Sequence, residues 1–266
     1  MTRASHPAYE TPRLVTSLAT VVLAENPDPM TLEGTNTWLL RAAGTDAAIV
    51  VDPGPDDPRH LDAVIAAAGE VQSILLTHGH PDHSAGARAL HERTGAPVRA
   101  LDPAHRLGGE GLTDGQAIAA AGVDVRVWST PGHTADSLSF LLMAHDGSAP
   151  AVLTGDTVLG RGTTVVAYPD GNLGDYLASL RRLQALGGST LLPGHGPELP
   201  DAARAAEGYL AHREQRLAQV QAAVEQLAGD VTPRRVVEIV YADVDPVLWP
   251  AAELSVRAQL AYLRAE

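Results

Sequence analysis

The sequence predicts an α/β domain followed by a small all-α one. Three observations carry this. Over residues 1–200, short apolar runs alternate with helical periodicities. Gly- and Pro-containing turns separate them. After about residue 200 the strand-like runs stop and helical patterns fill the remainder.

Taken in order, residues 14–23, 37–40 and 47–51 read as strands. Residues 58–68 read as a helix because Leu61, Val64, Ile65 and Ala68 share a face. The apolar run 71–76 is short enough to be a buried strand. Residues 84–94 read as a helix, and 97–101, 123–128, 138–143 and 151–153 as strands. A helix over 175–186 groups Tyr176, Leu177, Leu180, Leu183 and Leu186, with Asp175 as N-cap and Gly187-Gly188 as its stop. Residues 190–192 make a short strand. Residues 201–227 make one long helix or two, broken at Gly229-Asp230. Thr232 caps the next helix and Pro233 takes its first position. Its stripe is Val236, Val237, Ile239 and Val240. A last helix covers 249–263 and offers Leu254, Ala258, Leu260, Ala261 and Leu263 for burial. The expected domains are therefore 1–200 and 201–266.

Composition excludes several chemistries. The 266-residue chain is 45% hydrophobic, enough for a sizeable core. It has no apolar run of about 18 residues, the minimum for a membrane helix. Residues 1–12 lack the apolar segment of a secretory signal, so a cytoplasmic protein with no membrane partner is expected. There is no cysteine, which removes disulfides, iron–sulfur clusters and thiol nucleophiles. A metal site must therefore use His and carboxylates. Every basic residue is Arg, which excludes Schiff-base chemistry on Lys. The formal charge of −13 argues against a stable nucleic-acid complex. No Gly-x-Ser-x-Gly elbow is present, and Gly108-Gly109-Glu110-Gly111 lacks dinucleotide-binding spacing.

The strongest chemical signal is Thr77-His78-Gly79-His80-Pro81-Asp82-His83, between the strand at 71–76 and a helix. Imidazoles and carboxylates without thiolate suit Zn, Mn or Fe. His78 and His80 at i, i+2 reach one metal if the backbone is extended, leaving Asp82 and His83 for a second. Pro131-Gly132-His133, Gly155-Asp156 and Pro193-Gly194-His195 recur at other strand ends. Together they supply five His and two Asp, enough for two metals sharing a carboxylate. His6, His60, His91, His105, His145 and His212 read as solvated residues of loops or polar helix faces.

This order of motifs resembles the metallo-β-lactamase superfamily, and Val51-Asp52-Pro53-Gly54 resembles that family's first motif. The resemblance implies an αββα sandwich with two Zn²⁺ ions at one edge, Mn or Fe being alternatives. It implies that His78, His80 and His133 bind one metal, that Asp82, His83 and His195 bind the other, and that Asp156 bridges. Asp52 either orients the ligand loop or is a turn residue. The implied reaction is hydrolysis by a metal-bridging hydroxide, with Asp82 accepting or relaying its proton.

Beyond the metal motifs, residues 31–39 (Thr-Leu-Glu-Gly-Thr-Asn-Thr-Trp-Leu) and 160–164 (Gly-Arg-Gly-Thr-Thr) resemble the β-lactamase-like protein 2 group. So does the C-terminal stretch from His212, which resembles that group's winged-helix-like domain, here with little chain left for a wing. That group includes an endoribonuclease acting on single-stranded RNA, and RNA cleavage is the first expectation. The alternatives are a glyoxalase II-like thioester hydrolase, acting on a glutathione, mycothiol or coenzyme A thioester, and promiscuous β-lactam hydrolysis. Residues 201–266 carry seven Arg against ten acidic residues, so Arg213, Arg216, Arg234 and Arg235 read as solvated helix faces. Residues 163–170 are expected to loop over the metals, with Thr163 and Tyr168 touching a small-molecule or RNA substrate. A homo-oligomer is left open.

Overall fold

The computed structural model describes residues 8–143 and 149–265. Two sheets lie face to face. The first runs in chain order through β1 (Arg13–Thr16), β2 (Ala19–Leu23), β3 (Asn36–Leu40), β4 (Ala47–Val51), β5 (Glu70–Leu75) and β6 (Val98–Arg99). The β1–β4 strands pair antiparallel, whereas β5 lies parallel to both β4 and β6. The second sheet contains β7 (Ala117–Ala120), β8 (Val123–Ser129), β9 (Leu138–Met143), β10 (Ala151–Gly155) and β11 (Thr190–Pro193), arranged β11-β10-β9-β8-β7. Its only parallel pair is β10 with β11.

Strand β4 shows why the layers form. Side chains alternate across a strand. Ile49 and Val51 enter the core between the sheets, with Trp38, Val125, Val127, Phe140 and Leu153. Ala48 and Val50 point the other way, against Leu61 and Val64 of α1 (Pro58–Ala68) and Leu90 of α3 (Ala87–Thr94). Both faces are buried, so the sequence reads as an unbroken apolar run. The second sheet is covered in the same way. Val152 and Leu191 pack on Tyr176, Leu177 and Leu180 of α4 (Leu173–Gln184) and on Ala206 and Leu210 of α5 (Ala202–Leu227). The result is the αββα sandwich.

The C-terminal helices have a core of their own. Val220 and Ala223 of α5 meet Val236, Val237 and Val240 of α6 (Pro233–Val240) and Val256 and Leu260 of α7 (Trp249–Ala265). Thr232 caps α6 by accepting from the Arg235 amide. No strand follows β11 among the described residues.

Several expectations are corrected. Residues 14–23 form two strands, β1 and β2, because the chain turns at Ser17-Leu18. The helix expected over 84–94 is split into α2 (Pro81–Ser84) and α3. Gly86 stands between them, where an added Cβ would meet the Gly54 and Pro55 carbonyls. Strand β7 was not expected. The cap of α4 is Asn172, whose side chain accepts from the Asp175 amide. That helix ends at Gln184, before Gly187-Gly188. Residues 201–227 form one helix. Ile239 points outward, 38% exposed. His60 is fully buried, 2.6 Å from Glu10 Oε2 and 2.8 Å from the Thr37 hydroxyl. His91 and His105 are partly covered, and His91 Nδ1 lies 2.8 Å from the Ala96 carbonyl. His6 and His145 lie outside the described residues.

Candidate metal centre

Both sheets deliver their chemistry at one edge. Asp52 follows β4 and His78 follows β5; His133, Asp156 and His195 follow β8, β10 and β11. Each therefore sits just beyond the carboxyl end of a strand, where loops have room to converge. Asp82 and His83 lie in the single turn of α2, which begins at Pro81.

The seven expected residues come together. His78, His80 and His133 offer nitrogens within 4.8 Å of one another, and so do the ligand atoms of Asp82, His83 and His195. A third set, His78, His83 and Asp156, joins the two. Asp156 Oδ1 lies 3.3 Å from His83 Nε2 and 3.4 Å from His195 Nε2, while Oδ2 lies 3.7 Å from His133 Nε2. Asp82 Oδ2 is 3.1 Å from His195 Nε2.

The surrounding protein fixes how the rings present themselves. His133 Nδ1 donates to the Val165 carbonyl at 2.7 Å, and His195 Nδ1 to the Gly34 carbonyl at 3.1 Å. His83 Nδ1 donates to Asp52 Oδ2 at 2.9 Å. In all three rings Nε2 is thereby turned toward the cluster. Asp52, only 1% exposed, also accepts from the Thr77 amide (2.8 Å) and hydroxyl (2.7 Å). It orients the ligand loop from beneath.

These donors fit divalent cations on two structural grounds. His78 Nε2 is buried without a hydrogen-bond partner, and Asp156 Oδ1 has none beyond its ion pairs to His83 and His195. Leaving such groups unmet costs about 1–3 kcal/mol each. A Cβ at Gly194 would lie 2.7 Å from both Asp156 Oδ1 and His83 Cε1, so only glycine leaves the cradle open.

Electrostatics separate the ligands in the metal-free protein. Burial, with the charges of His83 and His133, pushes His78 well below its ordinary value. Burial also lowers His133. It opposes charge on His195, but Asp156 and Asp82 outweigh it and lift that ring to about 9. His83 is likewise held well above its ordinary value, by Asp156 and Asp52 against burial. Asp156 and Asp82 remain well below the usual carboxylate range, because His195 and His83 overcome their burial.

A cavity of about 600 Å³ opens over the cluster. Its floor is His80, Asp82, His133, Asp156 and His195. Met30, Leu32, Leu159 and Val165 form apolar walls, and Ala251 and Leu254 of α7 close one side. Thr163 lines it, and its one arginine, Arg161, is ion-paired to Glu33. Tyr168 does not line it; that side chain is 48% exposed and faces the groove beside α7. Arg213 is not on a solvated face either. It is 4% exposed, donates to the Thr164 carbonyl, and stacks 5.0 Å over the Tyr176 ring. Thr164 Oγ1 is 3.3 Å from His133 Nδ1, so Arg213 steadies the loop that orients His133. Sequence reading missed the α7 wall because only tertiary packing brings it over the site.

An αββα sandwich gathering imidazoles and carboxylates at one edge is the architecture of metallo-β-lactamase enzymes. The chain belongs to the metallo-β-lactamase superfamily: residues 30–195 match it, and residues 232–266 match the β-lactamase-associated winged helix domain. It is 31% identical to a β-lactamase-like protein 2 homolog of Drosophila melanogaster, over 95% of this chain and 89% of that protein. It is 34% identical to an atrochrysone carboxyl ACP thioesterase of Aspergillus fumigatus, over 77% of this chain and 64% of that protein. The crystal structure of a β-lactamase domain protein from Burkholderia ambifaria superposes with a TM-score of 0.79. That match has 23% identity and covers 98% of this chain and 91% of the other.

Proposed function

We propose that this metallo-β-lactamase superfamily hydrolase cleaves thioesters of apolar acyl groups. The observation that carries this is the cavity: above the cluster, Met30, Leu32, Leu159, Ala251 and Leu254 offer hydrocarbon. Such a surface takes up an acyl chain, and the cavity's one arginine, Arg161, is already paired with Glu33. The thioesterase among the relatives is in keeping with it.

In this reading His78, His80 and His133 would hold one cation and Asp82, His83 and His195 another, with Asp156 available to either. Zinc is the metal proposed, since His and carboxylate donors suit it. The chemistry that zinc would supply there is a water acidified to a pKa of about 7 and a polarised substrate carbonyl. The chain's own residues do the rest. The apolar walls exclude bulk water and align the acyl group. Asp82 lines the cavity floor; its carboxylate takes up the proton of the attacking water and passes it to the thiolate that leaves as the carbon–sulfur bond breaks. His83 and His195 keep that carboxylate in place.

Single-stranded RNA cleavage is the second reading, favoured by the likeness to the β-lactamase-like protein 2 homologs. Two adjacent C-terminal arginines are already engaged: Arg234 with Glu238 and Glu253, Arg235 with Asp230. The test is zinc-loaded protein and its Asp82→Ala variant, each given acyl thioesters of increasing chain length and a labelled single-stranded RNA. Thioester turnover that rises with acyl length and is lost in the variant is expected. RNA cleavage with all thioesters untouched would overturn the proposal.

A further inference from the structure

Helix α7 carries a stripe of side chains out of the metal cavity. Ala251 and Leu254 face that cavity. One turn on, Arg257 lines a second groove of about 270 Å³, shared with Ala261, Arg264, Pro233 and Tyr168. Adjacent residues of the loop after β10 line the two hollows, Ala167 the first and Tyr168 the second. From Leu254 to Arg264 the helix rises about 15 Å.

The arginines of this groove differ from their neighbours. Arg234 and Arg235 are ion-paired, Arg213 is buried, and Arg216 donates to the Val240 carbonyl. Arg257 and Arg264 are exposed and make no ion pair among the described residues. The exposed Tyr168 ring shares the groove with them. Guanidiniums bind phosphate oxygens through paired N–H donors. An exposed aromatic ring stacks on a planar base. The combination suits a nucleoside phosphate.

We propose that this groove holds the nucleoside-phosphate end of the substrate's thiol carrier, so that coenzyme A thioesters are the substrates. This rests on the thioester reading above. With the thioester carbonyl at the metal cluster and the acyl group against Leu254, the pantetheine arm runs past Ala167, and the adenosine phosphate lands on Arg257 and Arg264. A single nucleotide on a flexible arm needs only one such groove. An RNA strand needs a track of free cations, and Arg234 and Arg235 do not supply one.

The test uses the full chain, wild type and the Arg257→Ala/Arg264→Ala double variant. Adenosine 3′,5′-bisphosphate, which has no thioester, is titrated by calorimetry, and a short single-stranded oligoribonucleotide in parallel. In kinetics, an acyl coenzyme A is compared with the same acyl group on N-acetylcysteamine, which lacks the nucleotide. The bisphosphate should bind the wild type and bind the variant about tenfold more weakly for each guanidinium lost. The kcat/KM ratio of the coenzyme A substrate to the N-acetylcysteamine substrate should fall by a similar factor, a readout that a general structural defect does not move. Bisphosphate binding that needs the arginines, without turnover of either thioester, would uphold the groove and sink the thioester reading. Equal binding by both proteins, no binding, or arginine-dependent binding of the oligoribonucleotide alone would overturn the groove proposal.

Discussion

The carboxylate of Asp52 is the place to perturb the site without touching a ligand. Asn keeps its size and tolerates the left-handed backbone found there, φ +51°. Asp52→Asn therefore isolates the charge. An amide oxygen in the Oδ1 position can still accept from the Thr77 amide, now bonded at 2.8 Å. The amide nitrogen then replaces Oδ2, which at present accepts from the Thr77 hydroxyl and His83 Nδ1. It is a donor confronting donors. The hydroxyl can rotate away, but the His83 ring loses its anchor. A lost hydrogen bond to a buried charge costs roughly 1.5–3 kcal/mol of stability. Loss of the partner that orients a ligand weakens metal affinity about 10- to 100-fold. Of the seven clustered residues, His83 alone bonds to Asp52 directly, so the loss should fall chiefly on the Asp82–His83–His195 end. Zinc competition against a chromophoric chelator, fitted to two sites, reads this directly. One weakened and one retained site is the expected result. Asp52→Ala should be worse than Asn in the same assay, since it orphans all three donors and forces Ala into the left-handed region at roughly 1–2 kcal/mol. Wild-type zinc affinity at both sites in Asp52→Asn would refute the reasoning.

Further outcomes follow from the same geometry. Gly194→Ala should drive its Cβ into Asp156 and His83, and zinc content measured by atomic absorption should drop below two per chain with the far-UV circular dichroism intact; full occupancy would contradict the cradle. Leu254→Trp should fill the α7 side of the cavity and shift thioester preference toward shorter acyl groups by roughly tenfold or more, and an unchanged length profile would show that α7 does not touch the acyl chain. The metal-free protein should lose thermal stability between about pH 6.5 and 9. His195, lifted to about 9 when folded, stabilises fully below its unfolded value of about 6.5, and the contribution disappears as pH rises through 9. His83 acts in the same direction, while the lowered His78 and His133 act below that window. Zinc competes with protons for these nitrogens, so the zinc-loaded protein should gain stability across the same range. Melting temperatures with chelator and with zinc that show the same pH slope would count against this.

What the sequence made legible depended on how local the determinants were. The start of α1 is local: Asp57 accepts from the Arg59 amide, and Pro58 sits at the first helical position. The metal cluster is nearly local, since four of its residues fall between His78 and His83 and the others follow Gly at strand ends. Strand β7 escaped notice because its Ala-Ile-Ala-Ala run has only Ile118 to bury, and its place depends on pairing with β8. His60 looked like a residue of a polar helix face because its partners, Glu10 and Thr37, are 50 and 23 positions away. The cavity wall was invisible for a similar reason. Nothing in Ala251 or Leu254 records that α7 folds back over the cluster, because that placement comes from the packing of Ala258 and Tyr262 against α4 and its neighbours.

The ligand loops arise from both sheets, His83 after β5 of the first and His195 after β11 of the second, 112 positions apart in the chain. A cation gripping both ends closes a very long loop in the unfolded chain, as a disulfide would. By loop-closure entropy a covalent link of that span is worth about 5 kcal/mol. In a protein without cysteine, the metal centre can thus serve as the clasp that keeps the two halves of the sandwich together. Such a clasp answers to chelators and acid and ignores thiol reductants.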